Sequence, residues 1–462
     1  MRYVSTRGDA PIVDYTGALL AGLAFDGGLY VPESWPVLSD HQLEFCRDEP
    51  YHRCASEIIW LFAAGSAIKR PELDAICEAA YATFRDPEVV PTRSLGDDEH
   101  LLELFWGPTL SFKDVALQLL GRLFEHELTR TDDYVTIVGA TSGDTGSAAI
   151  EACRDRAGIE LVMLHPDGRV SDVQRRQMTT VTSANIHNMA VRGTFDDCQD
   201  MVKAMFADRP FREAVNLAAV NSINWARVSA QVVYYVRTAI RLGGGTPVSF
   251  TVPTGNFGNV LAAHIAKLMG APIGRLVIAS NSNDILNRTL DTGVMSMEGV
   301  VATSSPAMDI QVSSNFERLL FEFYGRDGEA IANDMTEFRS VGRLGLPDGV
   351  PKSLRGALAA GMATETQVIE TIASMWNDHG LLVDPHTAVG LHVGRRSRLE
   401  GETMVYVATA HPSKFPDAVV EATGVEPDLP DHVKPILEMD ERCLVVDQDL
   451  ATVQSFVADL RS

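Results

Sequence analysis

Lys113 is the residue of this chain whose type and setting first suggest chemistry. It stands in Pro108-Thr109-Leu110-Ser111-Phe112-Lys113-Asp114. The apolar run Leu101 to Trp106 before it predicts a strand, and Val115, Leu117, Leu119, Leu120, Leu123 and Phe124 after it predict a helix. Open sheets collect ligands where strands end and helices begin. Burial beside a helix N-terminus lowers an amine pKa, and a neutral amine can form a Schiff base with an aldehyde. A lysine near a helix end is more often a solvated surface group, so the residues around Lys113 must decide between the two readings.

Four further stretches have the makings of a site. Thr141-Ser142-Gly143-Asp144-Thr145-Gly146-Ser147-Ala148 follows a predicted strand, 134–140, and enters a predicted helix, 147–154. Hydroxyls and free N–H groups at such a junction bind anions; the alternative is an ordinary capped turn. Pro253-Thr254-Gly255-Asn256-Phe257-Gly258-Asn259 also joins a strand to a helix. Glycine-rich loops of this kind cradle phosphates. This one lacks the Gly-Lys-Ser/Thr ending of a Walker loop and does not match the dinucleotide fingerprint; a plain turn is its other reading. Asn221-Ser222-Ile223-Asn224-Trp225-Ala226-Arg227 opens a helical run. The three-residue spacing lets Asn224 and Arg227 share one side of a helix start. Arg227 there is either a bidentate phosphate ligand or a surface ion-pair partner beside a cap. In Ala408-Thr409-Ala410-His411-Pro412-Ser413-Lys414-Phe415, Thr409 ends a strand that reads as buried, where a hydroxyl can meet a ligand. His411 is more often a neutral, satisfied histidine than a base.

One pattern points elsewhere. Asp144-Thr145-Gly146 and Asp291-Thr292-Gly293 are the paired triplets of pepsin-like proteases. That fold is all-β, whereas the first triplet here opens a predicted helix and the second follows a polar stretch.

The elements that must position these residues alternate from residue 100 onward. Strands are predicted at 101–105, 135–139, 161–164, 186–191, 248–252, 276–279 and 404–408, mostly as apolar runs without strict alternation, the mark of sheets covered on both faces. Helical patterns lie between them. One is capped at Thr194; another runs from Thr364, with Gln367 three residues on, to a stop at Gly380. This is the βαβ pattern of mostly parallel sheets. The first hundred residues read as mainly helical, with a tight turn at Asp26-Gly27-Gly28 leading into a short strand and no evident chemistry. Residues 325–361, rich in Gly, Pro and charge, read as loops over a sheet edge.

Composition narrows the class. A net charge of −23 opposes nucleic acid and anionic membranes as partners, and a 45% apolar fraction can fill a large core. The six cysteines lack zinc-like spacing and read as reduced core residues of a cytoplasmic protein. No secretory or transit segment is apparent, and no metal site is expected.

Taken in order, these motifs resemble the threonine synthases, pyridoxal-phosphate enzymes of the tryptophan-synthase-β fold type (fold type II). The opening residues Tyr3 to Gly8 and Gly22 to Pro32 are similar to those of the longer members, which carry an extra N-terminal domain. The resemblance implies an α/β fold with open, mostly parallel sheets in a large and a small domain. The boundaries expected are 1–99 for a mainly helical N-terminal domain, 100–132 with 210–462 for the large cofactor-binding domain, and 133–209 for the small one. It implies pyridoxal 5'-phosphate as cofactor, joined to Lys113 and contacted by Asp144, Gly255, Asn256, Phe257, Gly258, Asn259 and Thr409. It implies that Thr141, Ser142 and Thr145 hold the substrate carboxylate, and Ser222, Asn224 and Arg227 its phosphate. The reaction implied converts O-phospho-L-homoserine and water to L-threonine and phosphate, in a monomer or homodimer. A phospho-lyase giving 2-oxobutyrate shares every motif, and a non-catalytic phospho-amino-acid-binding homologue is the rival from another class. Many relatives in the fold type have asparagine where Asp144 stands, so this carboxylate must be protonated, turned away or otherwise partnered.

Overall fold

The computed structural model describes residues 1–141, 143–218 and 222–460. Ser142, expected at the substrate carboxylate, lies outside the described residues, as does Asn221.

Two sheets organise the chain. The larger has six strands in the lateral order Leu358–Met362, Ile273–Ser280, Val248–Pro253, Met404–Ala408, Glu99–Glu103 and Thr92–Gly96. Its neighbours are parallel except for the final antiparallel hairpin. The smaller has five parallel strands, in the order Leu444–Val446, Ile186–Val191, Ile159–Pro166, Val135–Ala140 and Leu217–Ala218. All seven predicted strands are present. Their apolar continuity has the expected cause: every residue of Val248–Pro253 and of Met404–Ala408 is buried. The capping boxes at Thr194 and Thr364 form, and Gly380 ends the helix Glu365–His379 in the left-handed region.

Two expectations need correction. Residues 325–361 are not loops: they hold the helices Gly328–Val341 and Val350–Ala357 and reach the edge strand Leu358–Met362. The Gly and Pro that suggested loops are terminators, Gly342 capping the first helix and Pro351 opening the second. The C-terminal stretch does not stay with the large sheet. Leu444–Val446 pairs with Met189–Val191, and the helix Leu450–Asp459 packs Val453 and Val457 with Cys198, Met201 and Met205. Leu217–Ala218, also beyond the expected small-domain limit, joins the smaller sheet as well. The N-terminal residues pack against the rest of the chain. They share one continuous apolar cluster with the helices Lys113–Thr131 and Trp225–Gly243.

That shared core sets the aim of the helix Trp225–Gly243. Trp225 is fully buried, its ring 5.7 Å from Tyr3 and 5.6 Å from Phe62, and its Nε1–H donates to the Tyr3 hydroxyl at 3.1 Å. Aromatic pairs of this kind add about 0.5–1.5 kcal/mol each beyond burial. They anchor the helix start two residues before Arg227. Five of the six cysteines are buried, and none forms a disulfide. Among the described residues no helix is long and apolar enough to cross a membrane.

Candidate active site

A cavity of about 1170 Å³ opens at the C-terminal ends of strands from both sheets. Lys113, Thr141, Thr145, Ser222, Arg227, Thr409 and the loop Gly255 to Asn259 all line it. Leu20 to Phe25, from the N-terminal block, close one side. That block therefore contributes a wall to the site, which its sequence did not suggest.

Lys113 is the first residue of the helix Lys113–Thr131 and is only 7% exposed. Its loop is zipped to the Thr409 loop. Ser111 bridges Ala410, the Phe112 N–H donates to the Thr409 carbonyl at 2.8 Å, and the His411 N–H donates to that of Leu110 at 3.1 Å. Asp114 closes the turn by accepting the Thr109 N–H and hydroxyl at 2.8 and 2.7 Å. Burial raises the Asp114 carboxyl to about 6, although the Thr109 bonds oppose the shift. Burial lowers the Lys113 pKa; Asp144 opposes this, while Lys414 and Arg227 add to it. The amine is thus biased toward its neutral, nucleophilic form. His411 is no base: burial brings it down to about 4, and its Nδ1 accepts the Ser413 N–H at 3.2 Å.

The loop after Val248–Pro253 is built to receive an anion. Phe257 (φ 64°) stands in the left-handed region before the helix Gly258–Leu268 and offers no side-chain cap, so the first N–H groups of that helix are free for a ligand. Such a backbone costs a non-glycine residue free energy and clusters at binding sites. Burial of Phe257 against Phe316, ring to ring at 5.2 Å, holds it. A Cβ on Gly255 would stand 2.6 Å from the Ala307 carbonyl oxygen, so only glycine fits there. The Asn259 carbonyl accepts the hydroxyls of both Tyr234 and Tyr235. That fixes its amide orientation and leaves Nδ2, a buried donor, without a partner among the described residues.

Arg227 is 3% exposed, and among the described residues its Nε and Nη1 have no hydrogen-bond partner. Burial lowers it to about 10. A buried guanidinium left unpaired is costly unless a ligand completes it. Asn224, expected beside it as a phosphate ligand, is elsewhere engaged. It caps the helix Trp225–Gly243, its Oδ1 accepting the Ala226 N–H at 3.0 Å and its Nδ2 donating to the Leu19 carbonyl at 2.8 Å. Both ends of the amide are spent on the fold. Asn224→Ala is therefore expected to lower the unfolding free energy by about 1–3 kcal/mol, with far less effect on KM than substitution of Arg227. Denaturant unfolding together with steady-state kinetics checks this.

At the end of Val135–Ala140, the Thr141 hydroxyl accepts the N–H groups of Gly143 and Gly146 at 3.0 and 2.9 Å. Thr141 thus organises the entry to the helix Asp144–Cys153 as well as lining the cavity. Asp144 opens that helix and is buried. It is neither turned away nor in need of a proton. Its Oδ2 lies 3.3 Å from Lys113 Nζ, its Oδ1 2.8 Å from Lys414 Nζ, and Oδ1 also accepts from Gln174 Nε2 at 2.7 Å. Burial pushes the carboxyl upward, but Lys414 and then Lys113 outweigh it and hold it well below the usual carboxylate range. The protease triplets dissolve in the same geometry: Asp144-Thr145-Gly146 starts one helix, while Asp291 and Thr292 end another, with Gly293 as its cap.

The sequence reading assigned no role to Lys414, Gln174 or His386. His386 lines the cavity, receives the Ala307 N–H on Nε2 at 3.3 Å and pairs through Nδ1 with Asp384 at 2.8 Å. Asp384-Pro385 at a helix start is a visible cap signal, yet nothing local shows which cavity that helix faces.

Three family descriptions match the chain: threonine synthase N terminus over residues 2–81, pyridoxal-phosphate dependent enzyme over 95–345, and threonine synthase, C-terminal, over 387–457. A threonine synthase of Pseudomonas aeruginosa is 48% identical, with 99% of this chain and 98% of that protein aligned. Among solved structures, a pyridoxal-phosphate-bound threonine synthase from Brucella melitensis is 46% identical with a TM-score of 0.97, covering 100% of both chains. The threonine synthase from yeast is 37% identical with a TM-score of 0.94, covering 99% of this chain and 98% of that one.

Proposed function

The chain belongs to the threonine synthase family and is a pyridoxal-phosphate-dependent lyase, and from that premise we propose that it converts O-phospho-L-homoserine and water to L-threonine and phosphate in the cavity around Lys113. The observation that carries the substrate assignment is Arg227. One cavity offers two places for an anion, the Gly255 to Asn259 loop and the buried guanidinium whose Nε and Nη1 lack a partner among the described residues. A cofactor with one phosphate fills the first. The second calls for a substrate with an anion of its own.

The residues fit the cofactor. The uncapped helix start, the Gly255 close approach and the orphan Asn259 amide suit its phosphate. Lys113 would hold its aldehyde, Thr409 would meet the pyridine nitrogen, and Asp144 would face the linkage. When bound, pyridoxal phosphate supplies a ring that takes up the electron pair of a broken C–H bond. The remaining steps fall to the protein. The Lys113 amine, biased to its neutral form by burial, accepts the α proton and then a β proton of the substrate. Arg227 and Ser222 take the charge of the phosphate as its bond to the γ carbon breaks. Thr141 and Thr145 hold the carboxylate. Protons return from the Lys113 ammonium to the γ carbon, which becomes the methyl group, and to the α carbon, and water adds at the β carbon.

Incubation of the holoenzyme with O-phospho-L-homoserine tests this directly, with phosphate, threonine and 2-oxobutyrate measured together. Threonine is expected in step with phosphate. Phosphate in step with 2-oxobutyrate would turn the reading to a phospho-lyase. Cofactor binding with neither product would mean that the substrate is another.

A further inference from the structure

We propose that Lys414 is the permanent counter-ion of Asp144, a positioning residue that keeps this carboxylate ionised and aimed at the Lys113 nitrogen whatever Lys113 is bonded to. The inference rests on the assignment of Lys113 as the cofactor lysine.

Lys414 is fully buried. Its Nζ lies 2.8 Å from Asp144 Oδ1 and donates to the Thr109 carbonyl at 2.7 Å. Lys113 takes the other carboxylate oxygen, Oδ2, at 3.3 Å. Among the described residues these two lysines are the ion-pair partners of Asp144. They differ in constancy. Lys113 carries no charge whenever its nitrogen gives up its proton, as a free base or in an unprotonated linkage to the cofactor aldehyde. Were Lys113 the lone partner, each such state would leave a buried anion unpaired, a strongly unfavourable arrangement. Lys414 removes the difficulty, because one cation and one anion remain in every state of Lys113.

The fold supplies the means. Lys414 ends the short turn Pro412–Lys414, just beyond the Thr409 loop. That loop is the one zipped to the Lys113 loop through the Ser111 to Ala410 bridge. The same pairing therefore sets both lysines about one carboxylate, and Gln174 Nε2 braces it from a third segment at 2.7 Å. An aspartate can then occupy a position where a neutral amide would otherwise be the safer choice.

Substitution can isolate the charge. The Thr109 carbonyl also accepts from Gln177 Nε2 at 3.2 Å, so Lys414→Met leaves it partnered. Full-length wild type, Lys414→Met, Asp144→Asn and the double variant are titrated as apoproteins with pyridoxal phosphate, following the bound cofactor's absorbance, and their thermal midpoints are recorded. Lys414→Met is expected to weaken cofactor binding on the order of 100-fold and to lower the midpoint. Adding Asp144→Asn is expected to recover binding to within about tenfold of wild type, since a neutral amide needs no counter-ion. A simple structural loss would not be rescued in this way. A double variant no better than Lys414→Met, folded or not, overturns the proposal, as does wild-type binding by Lys414→Met. Borohydride reduction of wild-type holoenzyme and peptide mapping separate the premise from the inference. A tag on Lys113 without rescue defeats the role of Lys414 alone, and a tag on Lys414 defeats both.

Discussion

Lys113→Ala is expected to stay folded, to lose the covalently held cofactor and to lose turnover by about 10⁴-fold or more. The fold survives because the other groups around the lysine keep their partners. Asp144 retains Lys414 and Gln174, and Asp114 retains Thr109. The chemistry does not survive, because in the proposed mechanism the amine is both the attachment point and the proton acceptor; the other lysine that lines the cavity, Lys203, is largely exposed on the helix Phe195–Ala207, and the buried Lys414 is paired with Asp144. Borohydride reduction followed by mass measurement reads the first effect, and product formation the second. An alanine variant that kept both would falsify the site.

Arg227→Met is expected to act on the substrate and spare the cofactor. Two charge-assisted hydrogen bonds, each contributing about 1.5–3 kcal/mol, correspond to a rise in KM on the order of 10²–10⁴. With the cofactor's phosphate on the Gly255 to Asn259 loop, as proposed, its affinity should change little. The apoprotein gives a second readout. Wild type carries a buried guanidinium whose Nε and Nη1 are unpartnered, so an apolar side chain of similar length should leave thermal stability unchanged or raise it. A residue serving mainly as a structural ion-pair partner would do the reverse, losing stability with KM intact. Denaturation of the apoprotein and KM for O-phospho-L-homoserine separate the two.

The legible parts of the site share a property: each lies where a local pattern changes from strand to helix. Lys113, Thr141, the Gly255 to Asn259 loop and Thr409 all sit at such junctions, and the structure brings them to one cavity. Asn224 is ambiguous in sequence for the complementary reason. A polar residue at a helix start can serve the ligand or the helix, and the Leu19 carbonyl that takes its amide comes from a segment about two hundred residues away. The edge strand Leu444–Val446 escaped because it is three residues long, with Leu444 and Val445 half exposed, so it carries no core pattern.

The alternating fold class and the strand-to-helix junctions, that of Lys113 among them, are legible in the residues alone, since these follow from short motifs whose backbone geometry is set locally; the family and the cofactor are legible through the resemblance that those motifs carry together. The tertiary structure decided the charge state of that lysine's surroundings. Asp144, Lys414 and Lys113 come from three segments, and a carboxylate's ionisation depends on which cations stand within a few ångströms of it after burial. It also decided that Arg227 has unpartnered nitrogens and that the N-terminal block walls the cavity. These are matters of distance between residues remote in the chain, and periodicity and spacing carry no record of them.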